Sequence, residues 1–196
     1  MKIFILILLL FYSQCRPQNK NELSLNIGLH TLVDANFKKS DNGVIYEQSS
    51  GMKNNPKETN FYFSMTYLRA LTDYIKVGNG LGFNAIQGFS NISPFITSRV
   101  MYPVLPVNPY IMGLYGLNFM KYESTKYNLG IFYELGVGLE IPIVKKIFLD
   151  CRWSYSYFSS REWVKDINKP KDADITKSID QKFNTVNVLT GISFRL

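Results

Sequence analysis

The sequence predicts an all-β fold, an eight-stranded antiparallel up-and-down barrel, and three observations carry this prediction. Apolar residues alternate with small or polar ones in segment after segment, long and short connections alternate between these segments, and aromatic residues lie near the segment ends. Alternation with period two is the pattern of a strand with one apolar face. A strand that contacts lipid on one side and a polar lumen on the other has this pattern, so we expect the barrel to cross a membrane.

The alternation is easy to see in the last segment, 183–196, which ends the chain on a large apolar residue. One face of this strand carries Val186, Val188, Thr190, Ile192, Phe194 and Leu196. The other face carries Thr185, Asn187, Leu189, Gly191, Ser193 and Arg195. Soluble edge strands rarely end with so bare an apolar face, because an exposed apolar edge promotes aggregation.

Composition fits one domain and excludes some classes of function. The length of 196 residues suits a single domain. Mean hydropathy is −0.06, as expected where polar lumen residues offset apolar lipid-facing ones. The net charge is +7, many of the charged residues lie in the predicted loops with both signs present, and no RNA-binding motif accompanies them, so we expect no nucleic-acid partner.

The first residues have the pattern of a secretory signal. Lys2 precedes the apolar run 3–12, which is too short to span a bilayer as a helix. We therefore predict a signal peptide at 1–18 and an outer-membrane barrel at 19–196. Cys15 near the cleavage site leaves lipid modification open as an alternative. If Cys15 is removed, Cys151 is the only thiol left and no internal disulfide can form.

Eight segments have strand alternation. The predicted strands are 22–33, 59–71, 75–87, 94–102, 110–122, 128–141, 147–159 and 183–196. The face assignment of 110–122 is ambiguous. The connections 34–58 and 161–182 are predicted as long polar loops, and 88–93 as a compact break. Short turns are predicted at 72–74 and around Pro142, Lys145 and Lys146, and the prolines at 103, 106 and 109 mark another connection.

These connections predict an orientation. With the termini in the periplasm, every long loop becomes extracellular and every short turn periplasmic. Two groups of aromatic residues then belong near the two membrane interfaces. The outer group is Phe61, Phe63, Phe119, Tyr155 and Tyr157, and the inner group is Tyr102, Tyr110 and Phe194.

Three stretches resemble the small eight-stranded outer-membrane barrels of Gram-negative bacteria, in particular the OmpA-like, OmpX-like and OmpW-like groups. They are 133–142 (YELGVGLEIP), 148–155 (FLDCRWSY) and 191–196 (GISFRL). The resemblance implies the fold, the outer membrane as location, and surrounding lipid and lipopolysaccharide. The last strand resembles the signal read by the barrel-assembly machinery, although that signal usually ends in Phe and here ends in Leu196. We expect a monomer.

Several ionisable residues belong to the predicted inner faces. They are Lys76, Arg99, Glu134, Glu140, Asp150, Arg152 and Arg195. Both signs of charge are present, and a narrow lumen favours their pairing as a plug because unpaired buried charges are costly. A narrow pore or a site for a small ligand is the alternative for the same residues. Glu134 and Glu140 are about 20 Å apart along one strand, too far to act as a glycosidase pair.

His30, the only histidine, is also predicted to face the lumen. No His-x-Ser motif accompanies it, so we expect no catalysis, cofactor or metal. The predicted function is a structural or surface-interaction role in the outer membrane. The alternatives are a narrow channel or small-ligand binder, a lipid A- or phospholipid-modifying enzyme and, for the architecture, a soluble lipocalin-like barrel with its apolar faces inward. Loop lysines at 38, 39, 53, 57, 165, 169 and 171 are candidates for lipopolysaccharide phosphates.

Overall fold

The computed structural model describes residues 21–41, 44–51, 59–86, 89–102, 107–122, 128–165 and 176–196. The signal peptide predicted at 1–18, with Cys15, lies outside these residues. The strands are β1 Asn21–Asp41, β2 Val44–Gly51, β3 Thr59–Ala70, β4 Ile75–Ile86, β5 Phe89–Met101, β6 Asn108–Tyr122, β7 Asn128–Val144, β8 Ile147–Lys165 and β9 Thr176–Arg195. None of the described residues belongs to a helix that is long and apolar enough to cross a membrane.

Eight of these strands close into a barrel. Strands β3 to β9 pair antiparallel with their neighbours in chain order, and β1 pairs with β3 on one side and β9 on the other. Closure gives the barrel strands a partner at both edges, as a membrane-spanning sheet requires. The predicted fold, an eight-stranded antiparallel up-and-down barrel, is confirmed.

Strand β2 is a ninth strand outside the barrel ring. Among the described strands it pairs only with β1, from Asp34–Gly51 to Asp41–Val44. The prediction of a loop over 34–58 is therefore wrong for residues 34–41 and 44–51. The sequence did contain a signal for this hairpin, because Asn42-Gly43 is a favoured two-residue hairpin connection.

The loop predicted at 161–182 is also wrong at both ends, where β8 continues to Lys165 and β9 begins at Thr176. These charged segments form strands because they pair with each other, from Arg161–Asp180 to Lys165–Thr176. Together β2, β8, β9 and the upper part of β1 form a four-stranded wall that extends beyond β3–β7. We call this the tall wall.

Two further boundaries differ from the prediction. Strand β5 begins at Phe89, within the predicted break 88–93, because Asn91 and Ser93 face the lumen and keep the alternation. Strand β7 includes Pro142 and runs to Val144, with a register shift after Pro142. The turn is therefore confined to Lys145 and Lys146.

The outer face is apolar around the ring. Large apolar side chains are exposed on all eight barrel strands, including Leu29, Met65, Leu81, Ile96, Ile111, Leu135, Trp153 and Val188. The predicted interface aromatics lie on this outer face, Phe61 and Tyr102 being strongly exposed, with one exception. Tyr110 is the exception, because it is buried in the lumen. Its burial also assigns the faces of β6, since the even-numbered residues from Tyr110 to Met120 lie on the lumen side.

Candidate functional site: the charged lumen

All eight candidate residues lie on the lumen side of their strands. Seven are buried: His30, Lys76, Arg99, Glu134, Glu140, Asp150 and Arg152. Arg195 lies at the end of β9, where 29% of its side chain is exposed. Alternation places them there, because each lies an even number of residues from its inward neighbours on the same strand.

Five residues from five strands form what we call the basal network: Glu22, Lys76, Arg99, Glu140 and Asp150. Lys76 Nζ lies 2.6 Å from Glu22 Oε2 and 2.8 Å from Glu140 Oε1. Arg99 Nη1 lies 3.3 Å from Glu140 Oε1, and its Nη2 lies 3.0 Å from Asp150 Oδ2. Arg99 Nη1 also lies 3.8 Å from Glu22 Oε1. Each cation therefore contacts at least two carboxylates, so the network links opposite walls of the barrel.

Neighbouring side chains complete this network. The Tyr110 hydroxyl donates to Asp150 Oδ1, and the Ser24 hydroxyl donates to Asp150 Oδ2 at 3.3 Å. The Arg99 guanidinium carbon lies 4.6 Å from the centre of the Tyr110 ring, within cation–π range. Asp150 thus accepts hydrogen bonds from three side chains, as a buried carboxylate requires.

A second pair lies further along the lumen. Arg152 Nε is 3.5 Å from Glu134 Oε1, and Ser156 donates to Glu134 Oε2 at 3.1 Å. Asn187 Nδ2 in turn donates to the Ser156 hydroxyl. Glu134 and Glu140 therefore belong to separate ion pairs, consistent with their predicted separation.

The lumen charges balance. Among the described residues, the charged side chains on the inner face are Glu22, Glu134, Glu140 and Asp150 against Lys76, Arg99, Arg152 and Arg195. Four carboxylates thus face four cations, and Arg195 Nη2 lies 3.6 Å from Glu140 Oε2. Within this described part of the lumen neither sign of charge is in excess, so there is no net charge to attract a counter-ion or a charged solute.

Apolar and aromatic side chains fill the lumen beyond the ion pairs. Phe132 stacks on Phe158 with ring centres 4.7 Å apart, and Phe95 packs against Phe132 at 6.3 Å. Phe183 and Met120 are buried in the same cluster. Facing glycines provide the room: a Cβ at position 80 would overlap the Phe95 ring, and one at position 138 would overlap Tyr110.

The His30 ring makes one hydrogen bond to the other described residues. Its Nε2 lies 2.7 Å from the Ala85 carbonyl oxygen, and its ring stacks on Tyr62 at 6.3 Å. Since a carbonyl only accepts, Nε2 carries the proton and Nδ1 has the free lone pair. Nδ1 is buried and has no hydrogen-bond partner among the described residues.

Two members of the site, Glu22 and Tyr110, are not among the site residues predicted from the sequence. Glu22 shares the inward parity of Ser24, Asn26 and His30, a signal that could have identified it. Tyr110 had no such signal, because β6 carries apolar residues on both faces. Of the loop lysines predicted to bind phosphates, the structure describes only the Lys38 side chain, which is exposed on the tall wall. The described residues contain no cluster of three His, Cys, Asp or Glu side chains placed to bind a metal.

The tall wall carries its own charge pair. Arg161 Nε and Nη2 lie 2.5 Å and 3.0 Å from the two carboxylate oxygens of Asp180. These hydrogen bonds lower the pKa of Asp180 below its usual value. The pair is exposed and joins β8 to β9 beyond the barrel ring.

Comparisons with known proteins support the fold. No family model matches the chain, and no curated protein is similar in sequence. The chain is similar in structure to Neisserial surface protein A (NspA), with 10% identity, 90% of this chain and 97% of that chain covered, and a TM-score of 0.54. It is also similar in structure to the outer membrane protein OprG from Pseudomonas aeruginosa, with 11% identity and a TM-score of 0.51. The match covers 93% of this chain and 99% of that chain. The chain therefore has the closed eight-stranded fold of the small Gram-negative outer-membrane β-barrels.

Proposed function

We propose that this chain is an integral outer-membrane protein with a structural or surface-interaction role, and that its lumen is sealed. The observation that carries this proposal is the balanced set of ion pairs that bridges the barrel walls. Lys76 contacts two carboxylates and Arg99 contacts three, each from a different strand. A solute would have to separate these pairs in order to pass, and separating buried ion pairs is costly.

The exposed apolar face supports the membrane location. A monomeric soluble protein rarely exposes a large contiguous apolar surface, whereas lipid-facing strands require one. The assembly machinery would insert the barrel through its last strand, β9, whose outer face is apolar at Val188 and Ile192.

The tall wall supports the surface role. Strand β1 continues for ten residues, 32–41, beyond its last pair with β3 at Thr31, which adds about 30 Å along the strand. The wall carries exposed cations at Lys38, Arg161 and Lys182. With the termini in the periplasm, these cations lie near the phosphates of lipopolysaccharide, where positive charge is favourable.

Single-channel recording in planar bilayers tests the sealed lumen. We expect no conductance steps from the mature wild-type protein. A variant that combines Arg99→Ala and Glu140→Ala with Phe132→Ala and Phe158→Ala removes one ion pair from the basal network and two stacked rings from the aromatic cluster. It keeps the charge balanced and opens the lumen at both levels, and we expect it to conduct. Steady conductance in the wild type would favour the narrow-channel alternative and contradict the proposal.

The proposal also excludes catalysis on lipid. His30 is the only histidine, and its Nε2 contacts a backbone carbonyl. We expect the purified protein to release no fatty acid from lipid A or phospholipid. Hydrolysis that is present in the wild type and lost in His30→Ala would identify an enzyme instead.

A further inference from the structure

One polar side chain interrupts the apolar outer face of β4. The outer positions of this strand are Ile75, Val77, Leu81 and Phe83, and Asn79 occupies the position between Val77 and Leu81. The Asn79 side chain is exposed, and its amide makes no hydrogen bond to another described residue. It lies four residues from the start of β4, about 13 Å along the strand, and therefore within the apolar layer.

The surroundings of Asn79 form a small, uneven surface. Its cross-strand neighbours are Tyr67 on β3 and Ile96 on β5, and Ile96 in turn pairs with Tyr115 on β6. Two depressions flank it on the outer face, with volumes of about 370 Å³ and 620 Å³, and Asn79 lines both. The small residues Ser98 and Gly113 are among those that line the second depression.

Lipid tails cannot satisfy this amide. A carboxamide has two donor hydrogens and an acceptor oxygen, and a polar group without partners in hydrocarbon is unfavourable. A second carboxamide satisfies both functions. Where a two-fold axis passes beside Asn79, the same patch meets itself and Asn79 of one copy meets Asn79 of the other. Polar side chains join membrane segments in this way elsewhere.

We propose that the outer face of β3–β6 around Asn79 is the interface through which two copies of this chain associate in the membrane. The exposed Ile96 and Tyr115 side chains of each copy fit the depressions beside Asn79 of the other. This proposal rests on the membrane location proposed above and replaces the monomer that the sequence predicted. By contrast, the outward Thr190 on β9 has a neighbour within its own chain, with its hydroxyl 3.9 Å from Cys151 Sγ.

Sedimentation equilibrium of the mature protein in density-matched detergent micelles tests this proposal. We expect a monomer–dimer equilibrium in the wild type and an association constant at least tenfold lower in Asn79→Leu. Asn79→Gln keeps the carboxamide and should retain dimerisation. Thr190→Leu makes the same kind of change on a different part of the outer face and should leave association unchanged.

A lipophilic thiol crosslinker locates the interface in membranes. All variants carry Cys151→Ser, and the Cys151→Ser protein alone gives the baseline. Adding Ser98→Cys should allow the reagent to crosslink two copies. Adding Asn79→Leu to that variant should abolish the crosslinked product. A monomeric wild type, or association that is unchanged by Asn79→Leu, would overturn the proposal. Heat-modifiable mobility of each variant from the membrane fraction verifies the folded barrel, so failure of the membrane location is distinguishable from failure of the interface.

Discussion

At the scale of single residues, Arg99 is central to the basal network. Its guanidinium contacts Glu140, Asp150 and the Tyr110 ring, and it is 1% exposed. Its sequence neighbours alone do not explain this role, because the partners come from β6, β7 and β8. The stability of the basal network should therefore depend on it.

Replacing Arg99 by Met should destabilise the barrel by about 3–5 kcal/mol, because a buried carboxylate loses its partner. Urea unfolding from lipid vesicles, followed by tryptophan fluorescence, measures this change. Lys182→Met removes an exposed cation and should change the unfolding free energy by less than about 0.5 kcal/mol. A loss of unfolding free energy below about 1 kcal/mol for Arg99→Met is typical of solvated ion pairs and would contradict the burial of the basal network.

Gly138 is the residue that lets Tyr110 lie across the lumen. A Cβ at this position would overlap the Tyr110 ring, which the Asp150 carboxylate and the Arg99 guanidinium hold in place. We expect Gly138→Ala to lower the unfolding free energy by about 1–3 kcal/mol, the usual effect of overpacking. Gly113→Ala is the matched control, since its Cβ would meet Leu135 Cδ2 at 3.5 Å, an ordinary contact. Equal stability of the two variants would mean that Tyr110 can move without loss.

At the scale of elements, β2 differs from every other strand. It pairs with β1 alone, whereas the barrel strands each have two neighbours. Deleting 44–51 should therefore leave the barrel closed, because loop ends tolerate changes in length. Heat-modifiable mobility in SDS gels should remain.

A strand inside the ring gives the opposite expectation. Val188→Pro places a residue without an N–H in the middle of β9, which pairs with both β1 and β8. We expect this variant to lose heat modifiability. If the deletion of 44–51 also abolished the mobility shift, β2 would be part of barrel closure.

At the scale of the whole molecule, the apolar outer face predicts contact with lipid. Trp153 lies on the outer face and is 61% exposed. In a Trp163→Phe variant reconstituted in vesicles, lipids brominated on their acyl chains should quench the Trp153 fluorescence strongly. A water-soluble quencher should have little effect. The reverse result would point to a soluble barrel.

Local pattern and long-range pairing explain which parts of the site the sequence could predict. The eight lumen candidates were placed correctly because the direction of a side chain depends only on its position along one strand. Glu22 followed the same rule and was overlooked. Tyr110 and the ion partners could not be assigned, because contacts across a barrel depend on the register of several strand pairs at once.

The sequence by itself determined the fold class, the number of ring strands and the faces of most strands, since period-two alternation is a local property of the chain. The tertiary structure decided that the polar segments 34–41, 44–51, 161–165 and 176–182 are strands of the tall wall, because each of them pairs with a neighbouring strand. It also decided which charges pair and that the outward Asn79 has no partner among the described residues. Those outcomes depend on closure of the ring, which brings residues far apart in the chain to one level of the lumen or to one patch of the outer face.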